Sequence, residues 1–208
     1  MPSTPSLEAL LAGYRRFRAG TWPERRALCE ELAAEGQRPL AAVIACADSR
    51  LDPAAIFDAA PGALFVVRNV ANLVPPYQPD AAYHGTSAAL EFAVKGLEVT
   101  TVIVMGHAQC GGVRALMDGD AGQLGDFVLP WMQIAARART RACDAPEPDL
   151  LTACEHETVK VSLENLRTFP WIAERVASGG LGLLGAYYGI ATGVLELLRP
   201  DGTFERLE

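Results

Sequence analysis

The chain has 208 residues, of which 50% are hydrophobic and 21% are charged, a composition typical of a folded globular domain rather than of a disordered chain. Its 25 acidic side chains outnumber the 18 basic ones, and the resulting formal charge of −7 makes nucleic acid and anionic membranes poor candidate partners. The 5 cysteines are an odd number at scattered positions, which favours reduced thiols over a disulfide scaffold.

Two amphipathic helices are predicted ahead of the first strand. In the stretch 7–18 apolar side chains recur every three or four residues, namely Leu7, Leu10, Leu11, Tyr14 and Phe17. Pro23 and Gly36 bound a second helical pattern over 24–35. We therefore assign residues 1–36 to an N-terminal helical arm, whose apolar stripe needs a covering surface in its own domain or on a second subunit.

Predicted strands and helices alternate through the rest of the chain. Apolar runs predict strands at 40–45, 63–68, 100–105, 181–188 and 194–198. Helical patterns are predicted from Pro53 and over 87–97, 111–117, 127–142 and 149–169. This order is typical of an α/β fold with a mostly parallel central sheet flanked by helices, and we assign residues 37–208 to one such domain.

Two groups of reactive side chains follow the ends of predicted strands. Cys46, Asp48 and Arg50 come after the first strand, and His107 and Cys110 come after the third. Because ligands of open parallel sheets bind beyond the carboxyl ends of the strands, both groups should lie at one edge of the sheet. Extended backbone would point residues 46, 48 and 50 to one side, and a helical turn would place His107 beside Cys110.

Cysteine, histidine and cysteine are ligand types that Zn²⁺ prefers. Three protein ligands leave a fourth position open for water, as in catalytic zinc sites. The alternative is a structural zinc, for which Asp48 would be the fourth ligand.

These segments together resemble the β-class carbonic anhydrases. The resemblance rests on Cys-Ala-Asp-Ser-Arg at 46–50 and His-Ala-Gln-Cys-Gly-Gly at 107–112, and it extends to 65–72, the Pro75-Pro76 loop and Tyr-Tyr-Gly at 187–189. It implies reversible hydration of carbon dioxide to bicarbonate and a proton, a lyase reaction that proceeds by attack of zinc-bound hydroxide. The catalytic domain at 37–208 would then be the zinc-binding one.

The resemblance implies a role for each residue of the two motifs. Cys46, His107 and Cys110 would bind one zinc ion per chain. Asp48 and Arg50 would form a catalytic dyad, in which the arginine holds the carboxylate and the carboxylate aims the hydroxide at carbon. Asp48 would coordinate zinc only in a closed, inactive state.

The resemblance also implies a substrate pocket. Its residues would be Gln37, Phe65, Val70, Phe92 and Gly111. Phe92 departs from the tyrosine that the family often has there, so a hydroxyl is missing. Gln37, Phe65 and Phe92 are expected to reach the zinc of a partner subunit, although a place in the core remains the alternative for Phe65, Val70 and Phe92.

A regulatory subtype can be inferred in the same way. Some bacterial members of the family bind bicarbonate at a second, inhibitory site that needs Trp three residues and Gly one residue before the first zinc cysteine. Val43 and Ala45 occupy those positions here, although Arg68 matches the arginine of that site. We therefore expect the plant-like subtype, which bicarbonate does not gate.

Partners and location follow from the same resemblance. We expect a homodimer, with assembly to a tetramer or higher, and carbon dioxide or bicarbonate as the small-molecule partner. Related proteins with this zinc motif hydrolyse carbon disulfide or carbonyl sulfide, which leaves that activity as one alternative and a non-catalytic zinc-bound homologue as another. No apolar run reaches 18 residues and no secretory signal is visible, so we expect no membrane span and a cytoplasmic location.

Three other sites receive simpler interpretations. His84, beside the proline-rich loop, is a candidate proton shuttle. His156 is expected on a surface helix without a functional role. The arginines at 137, 139 and 141 are expected on a solvated face.

Overall fold

A six-stranded sheet forms the centre of the protein, which a computed structural model describes over residues 7–80, 82–119, 125–144 and 149–208. The strands are β1 (Ala41–Cys46), β2 (Leu64–Asn69), β3 (Thr101–His107), β4 (Gly182–Tyr188), β5 (Leu195–Leu198) and β6 (Phe204–Arg206). Their order in the sheet is β2-β1-β3-β4-β5-β6, in which the first four are parallel and the last two antiparallel. The predicted fold class, a mostly parallel sheet flanked by helices, is confirmed.

Nine α-helices lie within the described residues. They are α1 (Leu7–Ala19), α2 (Thr21–Glu35), α3 (Pro53–Ile56), α4 (Gly85–Glu91), α5 (Gly111–Asp118), α6 (Val128–Met132), α7 (Ala136–Cys143), α8 (Leu150–Leu166) and α9 (Pro170–Ala177). Short 3-10 turns occupy Val70–Asn72 and Gln133–Ala135, and a π-helical turn at Phe92–Gly96 extends α4. Within this described part of the chain, we find no helix that is both long and apolar enough to span a membrane.

Strand β1 lies between β2 and β3 in the sheet and is buried on both faces. Ala41, Val43 and Ala45 face one apolar cluster, whereas Ala42 and Ile44 face the other. This alternation explains why the sequence shows a continuous apolar run rather than a period of two. The strand therefore places Cys46, its last residue, at a buried edge of the sheet.

The two N-terminal helices are in contact with each other but leave the predicted stripe exposed. The rings of Phe17 and Trp22 lie 6.2 Å apart, and no residue of α1 is buried. Exposure along the stripe ranges from 72% for Leu7 to 39% for Phe17. Among the described residues of one protomer, none covers this apolar surface.

Sequence patterns missed two elements near the C-terminus, β6 and α9, and placed His156 of α8 wrongly. The five predicted strands are confirmed to within one or two residues at each end. The side chain of His156 is not on the protein surface as predicted, because the ring of Phe204 from β6 stacks against it at 4.2 Å. Arg137 and Arg139 are exposed as predicted, whereas Arg141 is partly buried and donates two hydrogen bonds, of 2.6 and 3.1 Å, to Glu164 on α8.

Candidate active site

The carboxyl ends of two neighbouring parallel strands bring the predicted metal ligands together. Strands β1 and β3 are paired in register, so Cys46 and His107 end the strands side by side. Cys110 follows three residues later and caps the N-terminus of α5. All three side chains are buried, with 1% exposure for His107 and Cys110 and 5% for Cys46.

The three ligand atoms converge on a space that suits a zinc ion. The two cysteine sulfurs and a ring nitrogen lie within 4.8 Å of one another. The Sγ atoms of Cys46 and Cys110 are 3.9 Å apart, and two sulfurs at about 2.3 Å from one tetrahedral centre would be roughly 3.8 Å apart. Their contact lowers the pKa of the Cys46 thiol, because a thiolate there accepts a hydrogen bond from its neighbour.

The orientation of the histidine ring supports the same interpretation. His107 Nδ1 lies 2.9 Å from the Ala108 carbonyl oxygen, which fixes the tautomer by accepting the Nδ1 proton. The other ring nitrogen, Nε2, is buried and has no hydrogen-bond partner among the residues that the structure describes. A buried nitrogen that lacks a partner costs free energy, and a metal ion at this position removes that cost.

Asp48 lies beside the ligand atoms and is held there by Arg50. The guanidinium donates to both carboxylate oxygens, at 2.9 Å from Nε and 2.7 Å from Nη2, and the Arg50 backbone N–H donates to Oδ1 at 2.9 Å. Asp48 Oδ2 is 3.9 Å from His107 Nε2. These hydrogen bonds from Arg50 hold the pKa of the Asp48 carboxyl far below its usual range, so it stays ionised at neutral pH.

Arg68 fixes the backbone that carries the first motif. Its guanidinium donates to the carbonyl oxygens of Cys46, Asp48 and Leu51, at 3.1, 2.6 and 2.6 Å. The sequence signalled this arginine only as a possible anion ligand. The structure shows its hydrogen bonds directed at the loop 46–51.

A buried acidic residue that the sequence analysis did not single out touches the third ligand. Glu155 on α8 accepts hydrogen bonds from the Cys110 backbone N–H and from the Tyr187 hydroxyl, both at 2.7 Å. Both hydrogen-bond partners are distant from Glu155 along the chain, so no local sequence motif predicts these contacts. The nearest signal is helical spacing, which puts Glu155 on the same face as Val159, Ser162 and Leu166, all buried.

The predicted pocket residues separate into two groups. Val70 follows Asn69, which pairs with Cys46, and Gly111 follows Cys110, so both lie at the ligand edge. A methyl group at Gly111 would meet nothing within 4 Å, which indicates open space.

The other three pocket candidates lie towards the opposite end of β1. Phe65 pairs with Ala42, about 13 Å from Cys46 at 3.3 Å per residue, and the rings of Phe65 and Phe92 are 5.9 Å apart. Gln37 precedes β1 altogether and is exposed. Within one protomer these residues are not brought to the ligand edge.

A cavity of about 620 Å³ opens next to Val70 and extends to His84. Most of its wall is apolar, with Pro75, Trp131 and Ile134 among the contributors. His84 Nε2 lies 2.7 Å from Asp80 Oδ1. The role of His84 as a proton shuttle stays a prediction.

Comparisons with known proteins agree on one family. The family model described as carbonic anhydrase matches residues 41–195. The chain is 37% identical over 203 residues to beta carbonic anhydrase 3 of Arabidopsis thaliana, covering 94% of this chain and 78% of that protein.

Solved structures give the same answer. The β-carbonic anhydrase CcaA superposes with a TM-score of 0.88 at 33% identity, over 97% of this chain and 92% of that chain. A tetrameric β-carbonic anhydrase of the ascomycete Sordaria macrospora superposes with a TM-score of 0.73 at 26% identity, over 92% and 95% of the two chains. The protein thus belongs to the β-carbonic anhydrases, zinc enzymes whose activity is the reversible hydration of carbon dioxide.

Proposed function

We propose that Cys46, His107 and Cys110 hold one zinc ion per chain, and that Asp48, held by Arg50, directs the nucleophile in carbon dioxide hydration. The observation that carries this proposal is the position of the Asp48 carboxylate, 3.9 Å from the unpartnered His107 Nε2 and bound through both oxygens by Arg50. A purely structural zinc would need Asp48 as its fourth ligand, and the arginine holds both of its oxygens instead.

When bound, zinc supplies hydroxide at working pH by lowering the pKa of water from 15.7 to about 7. The Asp48 carboxylate, ionised at neutral pH, would accept a hydrogen bond from the nucleophile and so direct the lone pair of its oxygen at the substrate carbon. Arg50 also donates to the Gln109 carbonyl at 3.0 Å, which ties the dyad to the loop of the other two ligands. This hydrogen bond therefore fixes the positions of the two motifs relative to each other.

The plant-like subtype, without a bicarbonate gate, belongs to the same proposal. Val43 and Ala45 are fully buried in the apolar core of the sheet, where neither offers a donor to an anion. The Arg68 guanidinium is engaged by three backbone carbonyls. A bicarbonate ion there would displace those bonds and remain short of partners.

A homodimer would complete the substrate pocket. Three of the predicted pocket residues lie near the start of β1, too far from the ligand edge to reach the zinc of their own chain, namely Gln37, Phe65 and Phe92. The side chain of Phe92 is 52% exposed. A second copy packed against this surface would bring them to its own ligand edge, and the uncovered stripe of α1 supplies further interface. Two such dimers would give a tetramer like that of the Sordaria relative.

Two finer assignments accompany this proposal. The arm comprises residues 1–36 and the zinc-binding catalytic domain residues 37–208. None of the 5 cysteines is in a disulfide bond, which supports a reducing, cytoplasmic compartment.

Stopped-flow hydration of carbon dioxide, with zinc content measured on the same sample, tests the activity. We expect about one zinc per chain and rapid hydration. Protein that carries zinc but turns over only carbonyl sulfide or carbon disulfide, or nothing, would contradict the proposal.

The shared pocket has its own test. In a mixture of Asp48→Ala and Gln37→Ala proteins, a mixed dimer contains one site with both changes and one site with neither. Random reassociation should therefore restore about one quarter of wild-type activity, whereas each variant alone stays low. If the mixture gives only the mean of the two variants, Gln37 does not serve the partner's zinc.

A further inference from the structure

Glu155 is a buried acid that the proposed chemistry does not use. It is 2% exposed, and burial raises the pKa of its carboxyl above the usual range. Its hydrogen bonds come from two uncharged donors, the Cys110 N–H and the Tyr187 hydroxyl. Burying a carboxyl with neutral partners costs free energy, so its contacts point to a role beyond packing.

The approach of α8 to β3 brings Glu155 to the metal ligands. Gly106 allows this close approach, because a Cβ atom at that position would lie only 2.7 Å from Val159 Cγ2, which is too close for two carbon atoms. Glu155 is one helical turn before Val159 and shares its face. From there its carboxylate reaches the loop that follows His107.

The loop after His107 contains a residue with a strained backbone, Gln109. Hydrogen bonds with two different side chains hold the peptide group that follows it. Gln109 adopts a φ of 58°, which is unfavourable for a residue with a side chain. The peptide between Gln109 and Cys110 offers its carbonyl to Arg50 Nη2 at 3.0 Å and its N–H to Glu155 Oε1 at 2.7 Å. These two bonds fix the rotation of the peptide and hence the direction in which the Cys110 side chain leaves the backbone.

The Glu155 carboxylate is itself prevented from rotating. The Tyr187 hydroxyl donates to Oε2, and the Tyr187 ring packs edge-on against His156 at 4.4 Å. The ring of Phe204 of β6 stacks on His156 at 4.2 Å and lies 6.1 Å from the Tyr187 ring. The C-terminal strand thus stabilises a chain of contacts that ends at a zinc ligand.

We propose that Glu155 is a positioning residue for zinc binding, which places Cys110 Sγ opposite Cys46 Sγ by accepting the Cys110 backbone hydrogen bond. This inference rests on the zinc site proposed above. Residues that orient metal ligands typically change metal affinity by 10-fold to 100-fold when they are removed. The bond, rather than the charge, is the active feature.

Three full-length variants separate these effects. Glu155→Ala removes the acceptor. Glu155→Gln keeps an oxygen for the Cys110 N–H and an amide for the Tyr187 oxygen, but has no charge. Thr158→Val is the matched control, since Thr158 is equally buried on α8 and its hydroxyl donates to the Cys154 carbonyl of its own helix.

Zinc affinity of the apoproteins, measured by competition with a chelator, is the first readout. We expect Glu155→Ala to weaken zinc binding by about 10-fold to 100-fold, and Glu155→Gln and Thr158→Val to stay within about threefold of wild type. Circular dichroism identifies the folded samples. The absorption bands of the cobalt-loaded proteins should shift for Glu155→Ala only, because they report the geometry of the thiolate ligands.

Several results would overturn the inference. Unchanged affinity in Glu155→Ala would show that the bond does not position Cys110. Equal loss in Glu155→Gln would assign the effect to charge, and equal loss in Thr158→Val would assign it to general destabilisation. Wild-type protein that binds no zinc would instead refute the metal site itself.

Discussion

Acid is expected to destabilise the fold through His156. This side chain is only 17% exposed, between the rings of Tyr187 and Phe204. Burial, with a smaller contribution from the charge of Lys160, lowers its pKa from 6.5 to about 4. The histidine is therefore neutral in the folded protein at a pH where it is protonated in the unfolded chain.

The sign of the effect follows from proton binding. Between pH 6.5 and about 4 the unfolded state binds a proton that the folded state does not, so stability falls as the pH falls. At about 1.4 kcal/mol for each tenfold change in proton affinity, the whole difference is worth about 3 kcal/mol. Glu196 Oε2 lies 3.9 Å from His156 Nε2 and would stabilise the charged ring, so we expect a loss of about 1–3 kcal/mol.

Denaturant unfolding at pH 7.0 and about pH 4.5 measures this loss, at fixed protein concentration and zinc content because both change apparent stability. The control is His156→Phe, which keeps a ring against Phe204 but cannot titrate. Glu155 works in the opposite direction, since its raised pKa favours the folded state as the pH falls, but it is common to both proteins. If the two proteins lose the same stability between these pH values, His156 does not carry the effect.

Four further predictions concern the active site and the arm. Cys46→Ser should lose most zinc and activity, and full zinc occupancy would contradict its assignment as a ligand. Asp48→Ala and Arg50→Ala should each lose activity but retain zinc, and the double variant should be little worse than either, whereas additive losses would show that the two act separately. Deleting residues 1–20 should reduce solubility or change the solution mass measured by light scattering, and an unchanged mass with unchanged activity would refute a role for the arm in assembly. Activity should fall with acid as one titration near pH 7, and a steep loss below about pH 8 that bicarbonate deepens would reveal a gate after all.

The metal site could be predicted because its chemistry is concentrated at strand ends. Cys46 and His107 terminate two apolar runs, and neighbouring parallel strands necessarily present their carboxyl ends together. Asp48 and Arg50 are two residues apart, so their pairing is local and visible in sequence. Each of these inferences uses contacts close to a strand end.

The surroundings of the site could not be predicted, because they depend on contacts between distant segments. Glu155 reaches Cys110 across 45 residues and Tyr187 across 32. The burial of His156 depends on β6, a three-residue strand too short to show a pattern. The proposed roles of Gln37 and Phe92 depend on a second copy of the chain, which one sequence does not place.

Charge balance explains why these distant contacts matter for catalysis. Two thiolates cancel the charge of a zinc ion, and such a neutral centre is a weaker acid than one with neutral ligands alone. A further unpaired negative charge would weaken its acidity again, yet two carboxyl groups lie close by. Asp48 is paired with Arg50 at 2.7 Å, and the Glu155 carboxylate accepts hydrogen bonds from the Cys110 N–H and the Tyr187 hydroxyl. The fold thereby surrounds the ligands with acceptors for hydrogen bonds, while the Arg50 guanidinium offsets the negative charge of Asp48 that would oppose formation of the nucleophile.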